Sequence, residues 1–410
     1  MGLFSGNKNA VRHGVIVDVG SGSVLVAIVS SDPKKTYPEI IWSKREYTPF
    51  KQTAEISVGA KSIMTSIMNV LMSLDGEGRK VLAETLGKVD LECIQVTISA
   101  PWSYTVTKTI SYQQDEEFTV SKTLVAELLE TAQRKVLEEL KENEQIYKFG
   151  LTLISRTTTD LIANGYLTKL TGKQKAKSLK LFQSNTIAQN NITETLVDSK
   201  GKILPKSDMH MYSFMLCFFY VMKDLYPTST DFCLVDITYE ATEIGIVRDG
   251  ILKYCTHIPY GSFSIAREIS AITSVPLEEA YGYLSKSNID HLFTKHSATQ
   301  KNEIQKVFYE YQNRLVELFN ETGDSLSIPK KIFLHGNLRS EPFFKKHISE
   351  AAGVATSSSH AVNAVSEKVL TEHYEKEAQT NIKNSRNDTA LLVSAQFFHN
   401  KDYHLEFEQL

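Results

Sequence analysis

Two aspartates in separate halves of the chain occupy the same place in the same pattern. Val15 to Val29 is an apolar, β-branched run that ends in Asp18, turns through Gly20-Ser21-Gly22-Ser23, and resumes as a second apolar run. Cys233 to Val247 repeats it, with Asp236 at the corresponding point and Thr238-Tyr239-Glu240-Ala241-Thr242 in the turn. Each segment reads as strand–turn–strand with a carboxylate at the tip of the first strand. Backbone N–H groups in such turns can hold phosphate oxygens, and carboxylates beside them can hold a hydrated divalent cation. A pair of these hairpins implies two similar domains facing each other across a cleft, with one Asp on each wall. The bland alternatives are an ordinary hairpin tip at Asp18 and a turn cap at Asp236.

Composition agrees with a large multi-domain protein. The chain has 410 residues, of which 42% are hydrophobic, enough to bury more than one core. Its formal net charge is −3, so it has no electrostatic footprint for nucleic acid. The four cysteines, Cys93, Cys217, Cys233 and Cys255, lack metal-ligand spacing and read as buried thiols. His257, beside Cys255, has no further ligands to make a metal site. No run approaches the length of a membrane span, so direct membrane insertion is not expected, although Leu3 and Phe4 are apolar enough to touch a membrane or a partner.

The elements that must position the two hairpins follow from periodicity. A helix is expected from about Ser57 to Leu74, with Ile63, Met64, Ile67, Val70 and Leu71 at helical spacing. Ile94 to Ala100 alternates like a strand and is stopped by Pro101. Strand signals at Lys108–Tyr112 and Leu151–Ile154, the amphipathic run Thr119–Leu140 and a turn at Ile162–Tyr166 make 102–178 a β–α–β–β unit. A helix is expected from Met209 to Met222, and a helical stretch from Leu277 to Leu318. Lys331 to Asn337 reads as a strand entering a glycine turn, and Ala390 to Phe398 as a closing helix. The expected layout is a first domain at 11–102, an inserted α/β subdomain at 103–178, a return segment at 179–228, and a second domain at 229–400 with a helical subdomain at about 262–325.

The order of these pieces resembles the actin-like ATPase superfamily, which includes actin, sugar kinases and heat-shock chaperone ATPases. Its first phosphate loop is matched by Asp18-Val19-Gly20-Ser21-Gly22-Ser23, its second in position by Asp236 to Thr242, and its adenosine motif by Ile332 to Asn337. The insert after Ser99-Ala100-Pro101 looks like that of the FtsA/PilM branch. Asp236-Ile237, Glu240 and Thr242 follow the PilM form of the second loop. The terminal run Leu405-Glu406-Phe407-Glu408-Gln409-Leu410 lacks the basic amphipathic helix of FtsA.

This resemblance implies an α/β fold: actin-like (ribonuclease H-like) duplicated domains facing a nucleotide cleft, with a small inserted α/β subdomain in the first half. It implies ATP with Mg2+, the metal held by Asp18 and Asp236. Nucleotide contacts would come from Gly20, Ser21, Gly22, Ser23, Thr238, Glu240, Thr242, Gly261, Gly336 and Asn337. Gly261 reads first as a site of close backbone approach between the second hairpin and the helix after it, and only second as a nucleotide contact, and His335 reads as an incidental polar residue. The implied function is a cytoplasmic PilM-type scaffold organising a membrane-associated assembly such as a type IV pilus. Its partner would be a peptide from a PilN-like membrane protein, lying in a groove between the Ile94–Pro101 strand and the Trp102–Ser178 insert; self-association is a further contact to test. An FtsA-like division filament and an active small-molecule kinase or ATPase are the alternatives.

Three departures argue against turnover. Thr238, Tyr239 and Glu240 replace glycines in the second loop, where side chains crowd the approach of backbone amides to a phosphate. Tyr281 and Leu284 align where a Glu and a Lys usually cup the nucleoside. A single glycine, Gly336, stands in the adenosine motif. Hydrolysis is therefore expected to be weak at most, and no residue is assigned as a catalyst.

Overall fold

Strands that are apolar at nearly every position must be covered on both faces, and both hairpins lie inside doubly covered sheets. A computed structural model describes residues 10–49, 55–142, 150–168, 174–285, 294–322, 328–366 and 388–404. The expectations for Leu3, Phe4 and the run from Leu405 fall outside these residues. Strands β1 (Arg12–Val19), β2 (Ser23–Ser31) and β3 (Glu39–Tyr47) form an antiparallel meander. On the other side of β1, strands β4 (Cys93–Ile98) and β9 (Asp208–Ser213) add in parallel, giving the order β3-β2-β1-β4-β9. The second half repeats this path. Strands β10 (Phe232–Ile237), β11 (Thr242–Arg248) and β12 (Ile251–Ile258) meander, then β13 (Lys331–His335) and β14 (Ala361–Ala364) add in parallel, in the order β12-β11-β10-β13-β14.

The pleat decides where the two carboxylates point. Side chains alternate across a strand. Val15, Val17 and Val19 pack beneath α1 (Ile56–Ser73) and α4 (Asn190–Ile203), while Ile16 faces the other way. Cys233, Val235 and Ile237 likewise pack on α6 (Ser262–Thr273), α8 (Ala298–Asn320) and α9 (Glu341–Thr356), while Phe232 and Leu234 face inward. Asp18 therefore shares the face of Ile16, and Asp236 that of Leu234. Between those inner faces lie α5 (Phe214–Leu225), buried over most of its length, and α10 (Thr389–His404). Along with α2 (Arg79–Leu86), which continues α1 through a π-helical turn at Leu74–Gly78, and α7 (Leu277–Gly282), these helices complete the two halves. No helix among the described residues is long and apolar enough to cross a membrane.

The insert is a four-stranded antiparallel sheet, ordered β5 (Ser103–Thr119), β8 (Lys175–Gln189), β6 (Leu151–Ala163), β7 (Tyr166–Leu167). Helix α3 (Lys122–Glu142) buries Val125 and Leu129 against Leu161, Leu179 and Leu181. Strand β8 runs past Ser178 to Gln189 before the chain returns to the first half. One expected element changes type. Met209 to Ser213 is strand, not helix, because β4 offers a parallel edge on which that run pairs. The helix begins at Phe214, where the Ser213 hydroxyl accepts from the Leu216 N–H as an N-cap.

Candidate functional site: a charge-compensated cleft

Strand register lines up a row of four side chains on the inner face of the first sheet. Thr97 on β4 lies opposite Asp18 on β1, Asp18 opposite Leu25 on β2, and Leu25 opposite Arg45 on β3. The Arg45 guanidinium reaches over Leu25 and donates to Asp18 Oδ2 at 2.9 Å. It also donates to Ser23 Oγ at 2.8 Å and makes a two-pronged pair with Asp388 at 2.6 and 2.9 Å, just before α10. Thr97 Oγ1 donates to Asp18 Oδ1 at 3.2 Å. Burial pushes the Asp18 carboxyl up from its ordinary value, against the downward pull of Arg45. Arg45 itself is opposed by burial, yet the negative charges of Asp388 and Asp18 outweigh that and hold it firmly cationic.

The second half carries the matching row: His335 on β13, Asp236 on β10, Glu243 on β11 and His257 on β12. His335 Nδ1 lies 2.8 Å from Asp236 Oδ1, and its Nε2 lies 3.0 Å from Thr389 Oγ1 at the start of α10. Burial would lower the His335 pKa, but the hydrogen bond and charge of Asp236 prevail and raise it. His335 is thus the partner of Asp236, not the incidental polar residue expected. Burial, then the charge of Asp236, pushes Glu243 well above the usual carboxylate range. Burial alone holds His257 down at about 4, under a stacked Tyr104 ring whose centroid is 3.7 Å away.

The turns meet each other directly. Ser21 Oγ accepts from the N–H of Tyr239 at 2.8 Å and from that of Glu240 at 3.2 Å. The Tyr239 ring lies over Gly22 so closely that a Cβ there would sit 1.8 Å from Tyr239 Cδ2. That ring stacks on Phe263 with centroids 4.1 Å apart and meets Tyr281 edge-on. The Tyr281 and Asn337 side chains both interact with its phenol. Thr238 Oγ1 donates to Ala100 O, and Trp102 Nε1 to Gly20 O, each at 3.0 Å. Glu240 is clamped by both nitrogens of the Arg267 fork, at 2.9 and 2.6 Å.

The remaining predicted residues serve the backbone. Thr242 Oγ1 donates to Tyr260 O at 2.8 Å. Asn337 O accepts from the N–H groups of Ser340 and Glu341 at the start of α9, after the turn at Gly336. At Gly261 a Cβ would lie 2.5 Å from Thr238 O and 2.6 Å from the Ala241 nitrogen, so this glycine permits the second turn to rest on α6. Gly261→Ala should therefore cost about 1–3 kcal/mol by forcing backbone apart. A shift in the urea midpoint with unchanged slope would register it; an unaltered midpoint would refute the close approach.

The structure gathers Asp18, Ser21, Gly22, Ser23, Asp236, Thr238 and Glu240 at one place, but it supplies them with partners from the chain itself. A phosphate drawing on the Tyr239 and Glu240 amides would have to displace the Ser21 hydroxyl, and one resting on Gly22 would meet the Tyr239 ring. Of the two carboxylates assigned to the metal, Asp18 is held by Arg45 and Thr97, and Asp236 is held by His335 through Oδ1 while its buried Oδ2 has no hydrogen-bond partner; the described residues hold no cluster of three or more metal-ligating groups. These residues do not fit ATP with Mg2+ in this arrangement. Sequence reasoning missed Arg45, Asp388 and Arg267. Only an arginine amid the half-buried β3 offered a signal. Beside the turns a cavity of about 110 Å³ is lined by Ser21, Trp102, Glu240, Phe263 and Arg267 among others.

No protein-family model and no curated protein sequence matches the chain. Solved structures do. A PilM–PilN type IV pilus biogenesis complex superposes with a TM-score of 0.56 at 12% identity, covering 95% of this chain and 98% of that one. This is the actin-like ATPase fold. The ethanolamine utilization protein EutJ from Carboxydothermus hydrogenoformans covers 94% of the chain and 90% of its own at 10% identity, TM-score 0.45. A Bacteroides thetaiotaomicron protein described as having an actin-like ATPase fold covers 88% and 94% at 9% identity, TM-score 0.41.

Proposed function

We propose that the protein is an actin-like scaffold of the PilM type, cytoplasmic and brought to the inner face of the cell membrane by a partner. The partner is the cytoplasmic peptide of a PilN-like membrane protein, and the assembly it serves is one such as a type IV pilus. The observation that carries this reading is that both tip carboxylates bond to side chains of the chain itself, Asp18 to Arg45 and Asp236 to His335. A turnover site keeps such groups for metal and reacting water; here each is held by a neighbour in its own sheet. The likeness to a PilM–PilN complex along nearly the whole chain supports the choice of partner.

The groove proposed beside β4 cannot use a strand edge of β4 itself. β4 is paired on both edges, by β1 and β9. Trp102 is buried and the half-buried Tyr104 stacks on His257. One sheet edge among the described residues is β5, which ends the insert's sheet and alternates exposed and half-buried from Thr109 to Gln113. There an extended peptide can add as a further strand. The test is capture of the cytoplasmic tail of a PilN-like protein encoded nearby by the full chain. Proline at one or more of Thr109–Gln113 should weaken capture, and vesicles displaying the tail should pellet the protein. Absence of capture, ATP turnover at about 1 per second or faster, or filaments without the tail would overturn the scaffold reading.

A further inference from the structure

We infer that the cleft is locked by its own side chains, so that the closed arrangement of the two halves is set without nucleotide. The inference deepens the scaffold reading and rests on its premise that the tip carboxylates are held by side chains of the chain itself. Three contacts make the lock. The Arg45 cation sits between Asp18 of the first sheet and Asp388 ahead of α10, supplying the positive charge that a bound metal would bring. The Ser21 hydroxyl takes the two amides of the second turn that would otherwise face an anion. The Tyr239 ring fills the space above Gly22 and reaches across to Tyr281 and Asn337, from the first phosphate loop to the end of the adenosine strand. One side chain thus spans the three motifs that the fold's nucleotide would join.

The glycine pattern agrees. Gly22 is the position where a side chain would collide with Tyr239, and the second loop's glycines are replaced by the residue that does the filling. Tyr239 and Gly22 are complementary in size across the two halves, as ring and socket.

Amide hydrogen exchange on the full chain tests this, read on peptides covering 18–24 and 236–243. Wild-type exchange at the Tyr239 and Glu240 amides should be slow and unchanged by millimolar ATP–Mg2+, with no rise in melting temperature. Ser21→Ala removes one hydroxyl and should speed exchange at those two amides by about tenfold or more. Tyr239→Gly should speed exchange in both peptides while strands elsewhere keep their protection. The lock is overturned if ATP–Mg2+ slows exchange in the wild type, or if both variants exchange like wild type. Loss of peptide capture would refute the partner and leave these rates as they are, so the two readings fail separately.

Discussion

Replacing Arg45 with alanine should lower stability by about 3–5 kcal/mol, the largest effect expected of a single substitution in this protein. The side chain holds two carboxylates at once, and Asp18 is 2% exposed. Removing one partner of a buried pair leaves an uncompensated charge, which costs far more than the pair itself contributes. The same reasoning fixes the control. Asp18→Asn alone should cost less, because Arg45 keeps Asp388 and Ser23. Arg45→Met combined with Asp18→Leu should recover much of the loss, since apolar groups of similar volume tolerate that site. Chemical denaturation of the wild type, Arg45→Met, Asp18→Leu and their combination gives the coupling energy directly. A loss below about 1 kcal/mol for Arg45→Ala, typical of a surface pair, would mean that the cleft is open to water.

The second large effect is acid sensitivity centred on His257. Its folded pKa is held near 4 by burial against an ordinary value of 6.5. A base with a depressed folded pKa is bound by protons more tightly in the unfolded chain, so stability is full above pH 6.5 and falls as pH drops towards 4. At 1.36 kcal/mol per pH unit the loss is about 2–3 kcal/mol by pH 4.5. His347 on α9, also held near 4 first by burial and then by Lys346, adds a similar share. Glu243 works in the opposite sense. Its folded pKa is raised, so its contribution is present at low pH and fades as pH rises through that value. Comparing wild type with His257→Phe at pH 7 and pH 4.5 isolates the imidazole. Equal pH dependence in both would show that the Tyr104–His257 stack opens to solvent.

The repeated hairpins were legible because each is a local pattern: an unbroken β-branched run, an Asp, a turn, a second run. Strand parity was legible in the same way, and with it the inward direction of Asp18 and Asp236. What was not legible depends on register between distant segments. Arg45 meets Asp18 only because β2 lies between them with Leu25 opposite both. Asp388 comes 343 residues after Arg45, and no local spacing links them. The substitutions at Thr238, Tyr239 and Glu240 were visible as departures, yet their meaning needed the opposing loop, since a tyrosine is an obstruction or a plug according to what lies beneath it. Strand β9 reads as helix in the sequence because Met211 continues the i, i+3, i+4 stripe of Phe214, Met215, Phe218 and Met222, and only its parallel pairing with β4 separates the two.

Helix α10 has a consequence for how the protein is made. It fills the inner face of the first sheet from the far end of the sequence: Arg12 Nη2 donates to Phe398 O, 386 residues away, and Ser31 Oγ meets His399 Nδ1 across 368. At the pace of synthesis, about 5–20 residues per second, β1 waits tens of seconds on the ribosome before its cover exists. Through that interval Ile16, Leu25, Ala27 and Val29 present an apolar sheet face to the cell. The first half therefore lacks part of its apolar cover until α10 emerges, and a chain cut before Thr389 should accumulate as aggregate.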